Sequence, residues 1–92
     1  MLRASVGVMA YNEEKNIGKL LEALTAQRLE TSEISEIVVV SSGSTDATDD
    51  VVLEWSKRDP RIRLIRQDRR EGKASAINLF LADADGDVFV LE

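Results

Sequence analysis

The chain has 92 residues, with 12 basic and 17 acidic side chains, a net charge of −5 at pH 7, and no cysteine or histidine. The acidic balance disfavours nonspecific binding to nucleic acid or to an anionic membrane surface. The missing residue types exclude disulfides, thiolate metal sites and the commonest metal ligand and acid–base catalyst, so any metal must be held by oxygen. The first apolar run, Val6–Ala10, is too short for a signal peptide or a membrane span. We therefore expect a cytoplasmic protein, or one at the cytoplasmic face of the membrane if the full-length protein has membrane segments downstream.

Apolar strands and amphipathic helices alternate along the chain, and Asn12, a good N-cap, opens the first helix. The predicted strands are residues 5–10, 37–40, 61–66 and 88–91. The predicted helices are a first with Ile17, Leu20, Leu21 and Leu24 on its buried side, a second at 45–58 with Trp55 in the core, and a third at 73–83 with Ala74, Ile77, Phe80, Leu81 and Ala84 inward. Residues 30–36 are predicted to be a polar connection, and Gly86 is predicted to end the third helix.

This alternation predicts an α/β domain with helices on both faces of a parallel sheet and right-handed crossovers. The strand order should be 3-2-1-4, because the first crossovers run in one direction and the fourth strand returns beside the first. The sequence stops directly after its fourth strand, which indicates that residues 1–92 are the N-terminal part of a larger domain. Unpaired apolar edge strands are then expected to permit self-association.

Three loops emerge at the carboxyl edge of the predicted sheet, and their chemistry is complementary. Residues 11–14 offer an aromatic ring and acceptors, residues 41–46 offer hydroxyls and backbone donors, and residues 67–73 lie among cationic side chains. Such a cleft suits a base or sugar at one end and a phosphate at the other. Neither Gly-x-x-x-x-Gly-Lys nor Gly-x-Gly-x-x-Gly occurs, which argues against kinase, GTPase and dinucleotide oxidoreductase functions.

Four segments in order resemble the motifs of family 2 glycosyltransferases: Ser5–Glu14, Ile37–Asp46, Gly72–Asn78 and Gly86–Leu91. The resemblance implies a GT-A fold that binds a UDP- or GDP-type nucleotide-sugar. It places the base and ribose at the first two loops, and the base or diphosphate near Gly72–Lys73. The ligand-binding residues that it implies are Ala10, Tyr11, Asn12, Glu14, Ser42, Gly43, Asp46 and Lys73.

Several of these residues also have a structural interpretation. Asn12 and Glu14 suit a helix start, Asp46 suits the start of the second helix, and the arginines at 66, 69 and 70 suit a solvated face. The family commonly carries aspartates where this chain has Ser41–Ser42. That departure supports an alternative function, a non-catalytic nucleotide-binding or interaction module.

The tripeptide Asp83–Asp85 matches the Asp-x-Asp metal motif of glycosyltransferases, but it precedes the fourth strand, whereas the family's motif follows it. No metal ligand and no catalytic residue is therefore assigned in this chain. The resemblance implies a divalent cation, Mg or Mn, in the full-length enzyme. It also implies an inverting transfer to an acceptor hydroxyl of unknown identity.

Overall fold

The computed structural model describes residues 1–27 and 31–92. Its elements in chain order are β1 (Leu2–Ala10), α1 (Ile17–Ala26), β2 (Ser32–Ser42), α2 (Thr48–Arg58), β3 (Ile62–Gln67), α3 (Lys73–Asp83) and β4 (Val88–Leu91). All pairings are parallel, and the strands lie in the order β3-β2-β1-β4, which confirms the predicted order. Across the described ranges, no helix is long and apolar enough to cross a membrane.

Helices cover both faces of the sheet. On one face α1 and α2 pack on a cluster that includes Val6, Ile37 and Val39, and on the other α3 packs on Val38 and Val40. The four consecutive β-branched residues 37–40 of β2 are completely buried because both faces of this central strand are covered. This explains why residues 37–40 form an unbroken apolar run rather than an alternating one.

Helix α3 lies close against β1 because position 7 is glycine. A Cβ on Gly7 would stand 2.7 Å from the Phe80 ring, so any side chain there would push the helix away. The buried face of α3 is narrower than predicted. Ala76 and Phe80 are buried in a cluster with Val38 and Val40 of β2, Ala74 and Leu81 are exposed, and Ile77 and Ala84 are intermediate.

The amino edge of the sheet is held together around a buried carboxylate. Glu36 is 5% exposed and accepts hydrogen bonds from the Ser5 hydroxyl and, at 2.9 Å, from the Asp85 amide. It also pairs with Arg63 at 2.8 Å. Burial raises the pKa of Glu36, but these hydrogen bonds and the positive charge of Arg63 outweigh it and leave the pKa below its ordinary value.

This network corrects two predictions. Residues 32–36 belong to β2 rather than to a polar connection, because the polar side chain of Glu36 finds partners inside the fold; residues 28–30 lie outside the described ranges. Gly86 does not end α3, which stops at Asp83 with Ala84 as its C-cap. Its amide instead donates to the Ser5 hydroxyl at 2.9 Å, and a Cβ there would lie 2.5 Å from that oxygen.

Strand β4 forms one edge of the described sheet, and all four of its residues are exposed. Phe89 makes an edge-to-face contact with Phe80, with ring centroids 6.0 Å apart, yet remains 47% exposed. Trp55, predicted as core, is only partly buried against the α1–α2 cluster. The Arg58 guanidinium lies over its ring at 5.2 Å.

Candidate functional site

Asn12 joins the loop after β1 to the loop after β2. Its side-chain Oδ1 accepts hydrogen bonds from the backbone amides of Thr45 at 2.8 Å and Asp46 at 3.4 Å. Its own backbone amide donates to the Ser44 hydroxyl at 3.1 Å. Its φ of 49° lies in the left-handed region that asparagine tolerates. The prediction that Asn12 caps α1 is therefore wrong: α1 begins at Ile17, behind Asn16. The side chain of Asn12 organises the two loops instead.

Asp46 also connects the loop after β2 to the loop after β1. One oxygen of its carboxylate accepts from the Thr48 amide at 2.9 Å and from the Thr48 hydroxyl, and the other accepts from the Glu14 amide at 3.2 Å. Burial raises the pKa of Asp46, but these bonds outweigh it and lower the pKa, which keeps the carboxylate ionised. Helix α2 begins at Thr48, not at residue 45 as predicted, because Asp46 holds the preceding turn.

A cavity of about 380 Å³ opens at this edge of the sheet, at the ends of β1 and β2 and beside the start of α3. It is lined by Met9, Ala10, Tyr11, Glu13, Ser42, Arg70, Gly72, Lys73, Ala76 and Glu92. Four of the predicted ligand-binding residues are among them: Ala10, Tyr11, Ser42 and Lys73. The other four do not line it and instead lie in the adjoining loops: Asn12, Glu14, Gly43 and Asp46.

The two serines at the end of β2, Ser41 and Ser42, have different environments. Ser41 is fully buried, and its hydroxyl donates to the Ser44 hydroxyl at 2.8 Å. The Ser42 hydroxyl lines the cavity and accepts from the Glu71 amide at 3.2 Å. A hydroxyl that accepts one hydrogen bond keeps its own proton to donate, so Ser42 can still donate to a ligand.

Gly43 allows the third loop to rest on the second. Its φ is 66°, and a Cβ there would overlap the backbone of Arg69 and Arg70. Its amide donates to the Gln67 carbonyl at 2.9 Å, which fastens the turn to the end of β3. Gly43 is therefore required for loop packing, whether or not it also contacts a ligand.

Charged side chains of both signs face the cavity. The Arg70 guanidinium lies 3.9 Å from the centroid of the Tyr11 ring, and Lys73, Glu13 and Glu92 line the same space. Sequence reasoning had left Arg70 on a solvated face. The position of Arg70 next to the Gly72–Lys73 motif was the sequence signal for a place at the cavity. The sequence did not indicate the contact with Tyr11, because that contact joins two loops that are far apart in the chain.

Arg66, the other arginine near this loop, has structural partners. It donates to the Ser44 carbonyl at 3.2 Å and pairs with Asp49 at 2.5 Å. Its side chain therefore holds the start of α2 against β3. The exposed Asn78 lies outside the cavity lining.

The residues present do not assemble a metal centre. Within residues 1–27 and 31–92 there is no group of three or more His, Cys, Asp or Glu side chains that could hold an ion. Asp83 pairs with Arg63, and the Asp85 amide donates to Glu36. Both aspartates thus lie at the amino edge of the sheet, on the opposite side from the cavity.

A parallel sheet with a cavity outside the carboxyl ends of its strands, beside the point where the strand order reverses, is the arrangement in which open α/β sheets bind ligands. Comparison with known proteins identifies the family. Residues 5–91 match Glycosyl transferase family 2, and the chain belongs to that family. Its solved relatives are glycosyltransferases of the GT-A fold.

Several curated relatives share this region. A dolichyl-phosphate β-glucosyltransferase of Trichomonas vaginalis is 39% identical over 86% of this chain, and the chain covers 29% of that protein. The glycosyltransferase AglE of Haloferax volcanii is 32% identical over 89% of this chain and 27% of its own length. The chain thus spans less than a third of each.

Two solved structures show the same arrangement. The mannosyltransferase PcManGT from Pyrobaculum calidifontis, in complex with GDP-Man and Mn²⁺, superposes with a TM-score of 0.83 at 34% identity, over 96% of this chain and 26% of that one. Glucosyl-3-phosphoglycerate synthase from Mycobacterium tuberculosis, in complex with Mn²⁺, UDP and glucosyl-3-phosphoglycerate, has a TM-score of 0.80 at 26% identity, over 99% of this chain and 33% of that one.

Proposed function

We propose that this chain is the donor-binding part of an inverting glycosyltransferase that transfers a sugar from a UDP- or GDP-linked donor to an acceptor hydroxyl. The observation that carries the proposal is the cavity of about 380 Å³ at the carboxyl ends of β1 and β2. Its volume falls within the ordinary range of small-molecule sites, and its place in the fold is where open parallel sheets bind ligands. The GDP-Man and UDP bound by the two solved relatives support the same class of donor.

The cavity offers a distinct group to each part of such a donor. The Tyr11 ring, 40% exposed, provides a flat surface for a base, and the Ser42 hydroxyl provides a donor for a base or ribose oxygen. Lys73, the first residue of α3, provides a cation for the diphosphate. No side chain caps the start of α3, so its first amides add to the positive potential there.

In the proposed reaction the acceptor oxygen attacks the anomeric carbon while a carboxylate removes its proton, and the bond to the nucleoside diphosphate breaks with inversion. The described residues bind the donor and hold its leaving group in place. No catalytic base is assigned among them. We infer that the full-length enzyme uses a divalent cation, Mg or Mn, whose ligands lie elsewhere in the protein, because the described residues do not form its ligand set.

A titration of the isotope-labelled chain with UDP, GDP and their sugar conjugates tests the binding function. Amide resonances of residues 10–14, 42–46 and 70–74 should shift, with a dissociation constant in the millimolar range, on the order of −4 kcal/mol. Lys73→Ala should weaken nucleoside diphosphate binding about threefold, which is the scale of one exposed ion pair. Lys57→Ala is the matched control, because Lys57 lies in the last turn of α2 and pairs with Glu54 on an exposed surface.

Shifts that cluster away from these three segments, or equal effects of the two lysine substitutions, would contradict the proposed site. The second candidate, a non-catalytic nucleotide-binding module, is favoured by the serines at 41 and 42, of which Ser41 is buried and bonded within the protein. Sugar transfer by the full-length protein to a hydroxyl acceptor separates the two. Donor binding without any transfer or donor hydrolysis would support the module.

A further inference from the structure

One face of the Tyr11 ring in the cavity is covered by the Arg70 side chain. The Arg70 guanidinium lies 3.9 Å from the centroid of the Tyr11 ring, which is the contact distance of a cation stacked on an aromatic face. Both side chains line the same cavity. A nucleobase stacked on that face of Tyr11 would occupy the same space as the Arg70 guanidinium.

The backbone that carries Arg70 is anchored, but its side chain is not. The Glu71 amide donates to the Ser42 hydroxyl at 3.2 Å, and the Arg69–Arg70 backbone rests on Gly43. Within residues 1–27 and 31–92, the Arg70 guanidinium forms no salt bridge, whereas the guanidinium groups of 61, 63 and 66 all pair with carboxylates. Among the described residues, rotation of the exposed side chain therefore breaks the cation–π contact with Tyr11 and no salt bridge.

We propose that Arg70 is a displaceable cover of the Tyr11 ring, which a nucleotide must move aside before its base can stack there. The inference rests on the proposed function and adds a competition within the site. Because the loop backbone is anchored, the displaced guanidinium stays at the rim of the cavity, within the region where the phosphates of a donor would lie. The cover thus lowers the affinity for the base while keeping a cation for the phosphates.

Neutral nucleosides separate these two effects, since they carry a base and a ribose but no phosphate. An exposed cation–π contact contributes about 0.5–1 kcal/mol, so Arg70→Ala should tighten the binding of uridine and inosine about two- to fivefold. UDP and GDP should gain less than the nucleosides, because the variant also loses a positive charge. Arg69→Ala is the matched control: it removes the same charge from the neighbouring position, which does not line the cavity, and should leave nucleoside affinity unchanged.

A direct readout is available before any ligand is added. Stacked on Tyr11, the side-chain protons of Arg70 should show an upfield ring-current shift, which should disappear in the nucleotide-saturated protein. Unchanged or weaker nucleoside binding in Arg70→Ala would overturn the cover; weaker binding would mean that the base stacks on the guanidinium itself. A ring-current shift that persists at saturation would also overturn it. If neither the wild type nor the variant binds UDP or GDP, the proposed function fails and this inference fails with it. If nucleotides bind normally but one of the other contrary results is found, only the role of Arg70 as a cover is rejected.

Discussion

Glu36→Ala is expected to destabilise the fold by about 3 kcal/mol, because it removes the acceptor at the centre of the amino-edge network. The substitution leaves the buried Ser5 hydroxyl and the partly buried Asp85 amide without their acceptor. An unsatisfied buried donor costs about 1–3 kcal/mol, so the Ser5 hydroxyl costs about 2 kcal/mol, and the Asp85 amide, which water can reach, costs about 0.5 kcal/mol. Arg63 adds only about 0.5 kcal/mol, because its side chain is 45% exposed and it keeps Asp83 as a partner.

Urea unfolding followed by Trp55 fluorescence measures this difference. Glu33→Ala is the matched control, since Glu33 lies on the same strand but is exposed, and it should change the free energy of unfolding by less than about 0.5 kcal/mol. Equal losses in the two variants, or a loss below about 1 kcal/mol for Glu36→Ala, would refute the assigned role of the network.

Acidification should reduce the difference between the wild type and Glu36→Ala. The pKa of Glu36 in the folded protein is lowered from 4.5, so its contribution to stability is fully present above that pH and is lost as the pH falls through the folded value. The two proteins should therefore approach each other in stability below about pH 4.5. A difference that stays constant down to pH 3 would show that Glu36 does not act through its charged form.

Two other substitutions test the second loop and the edge of the sheet. Gly43→Ala should lower the free energy of unfolding by about 2 kcal/mol or more and weaken nucleotide binding, because it combines a positive φ with overlap of the Arg69–Arg70 backbone. The control Gly18→Ala, in a helix with room for a methyl group, should be neutral or stabilising by up to about 1 kcal/mol. Equal effects of the two substitutions would contradict the assigned packing of Gly43. The 92-residue chain should self-associate in sedimentation experiments through the exposed edge of β4, and Val90→Lys, at a residue 38% exposed on that strand, should shift it to monomer. A wild type that stays monomeric at all concentrations would reject that interface.

Local patterns determined the order of the elements and the edge of the sheet at which the candidate site lies. The β-branched run at 37–40 indicated a strand buried on both faces. Crossovers that first run in one direction and then return beside the first strand predicted the order 3-2-1-4, which the structure confirms. Helix α3 and strand β4 have the predicted bounds. These features follow from periodicity and turn chemistry over a few neighbouring residues, and the convergence of parallel strands then places the three loops together.

Tertiary structure alone decided the roles of the polar residues. Asn12 and Glu36 each have partners more than 30 positions away, such as Thr45 for the first and Asp85 for the second. The contact between Arg70 and Tyr11 likewise joins two separate loops. A polar side chain is compatible with a cap, a connection or a solvated face until the fold supplies or withholds its partners, because the cost of burial depends on hydrogen bonds from distant parts of the chain. The sequence therefore determined at which edge of the sheet the candidate site lies. Only the folded chain determined which side chains hold the loops together and which line the cavity.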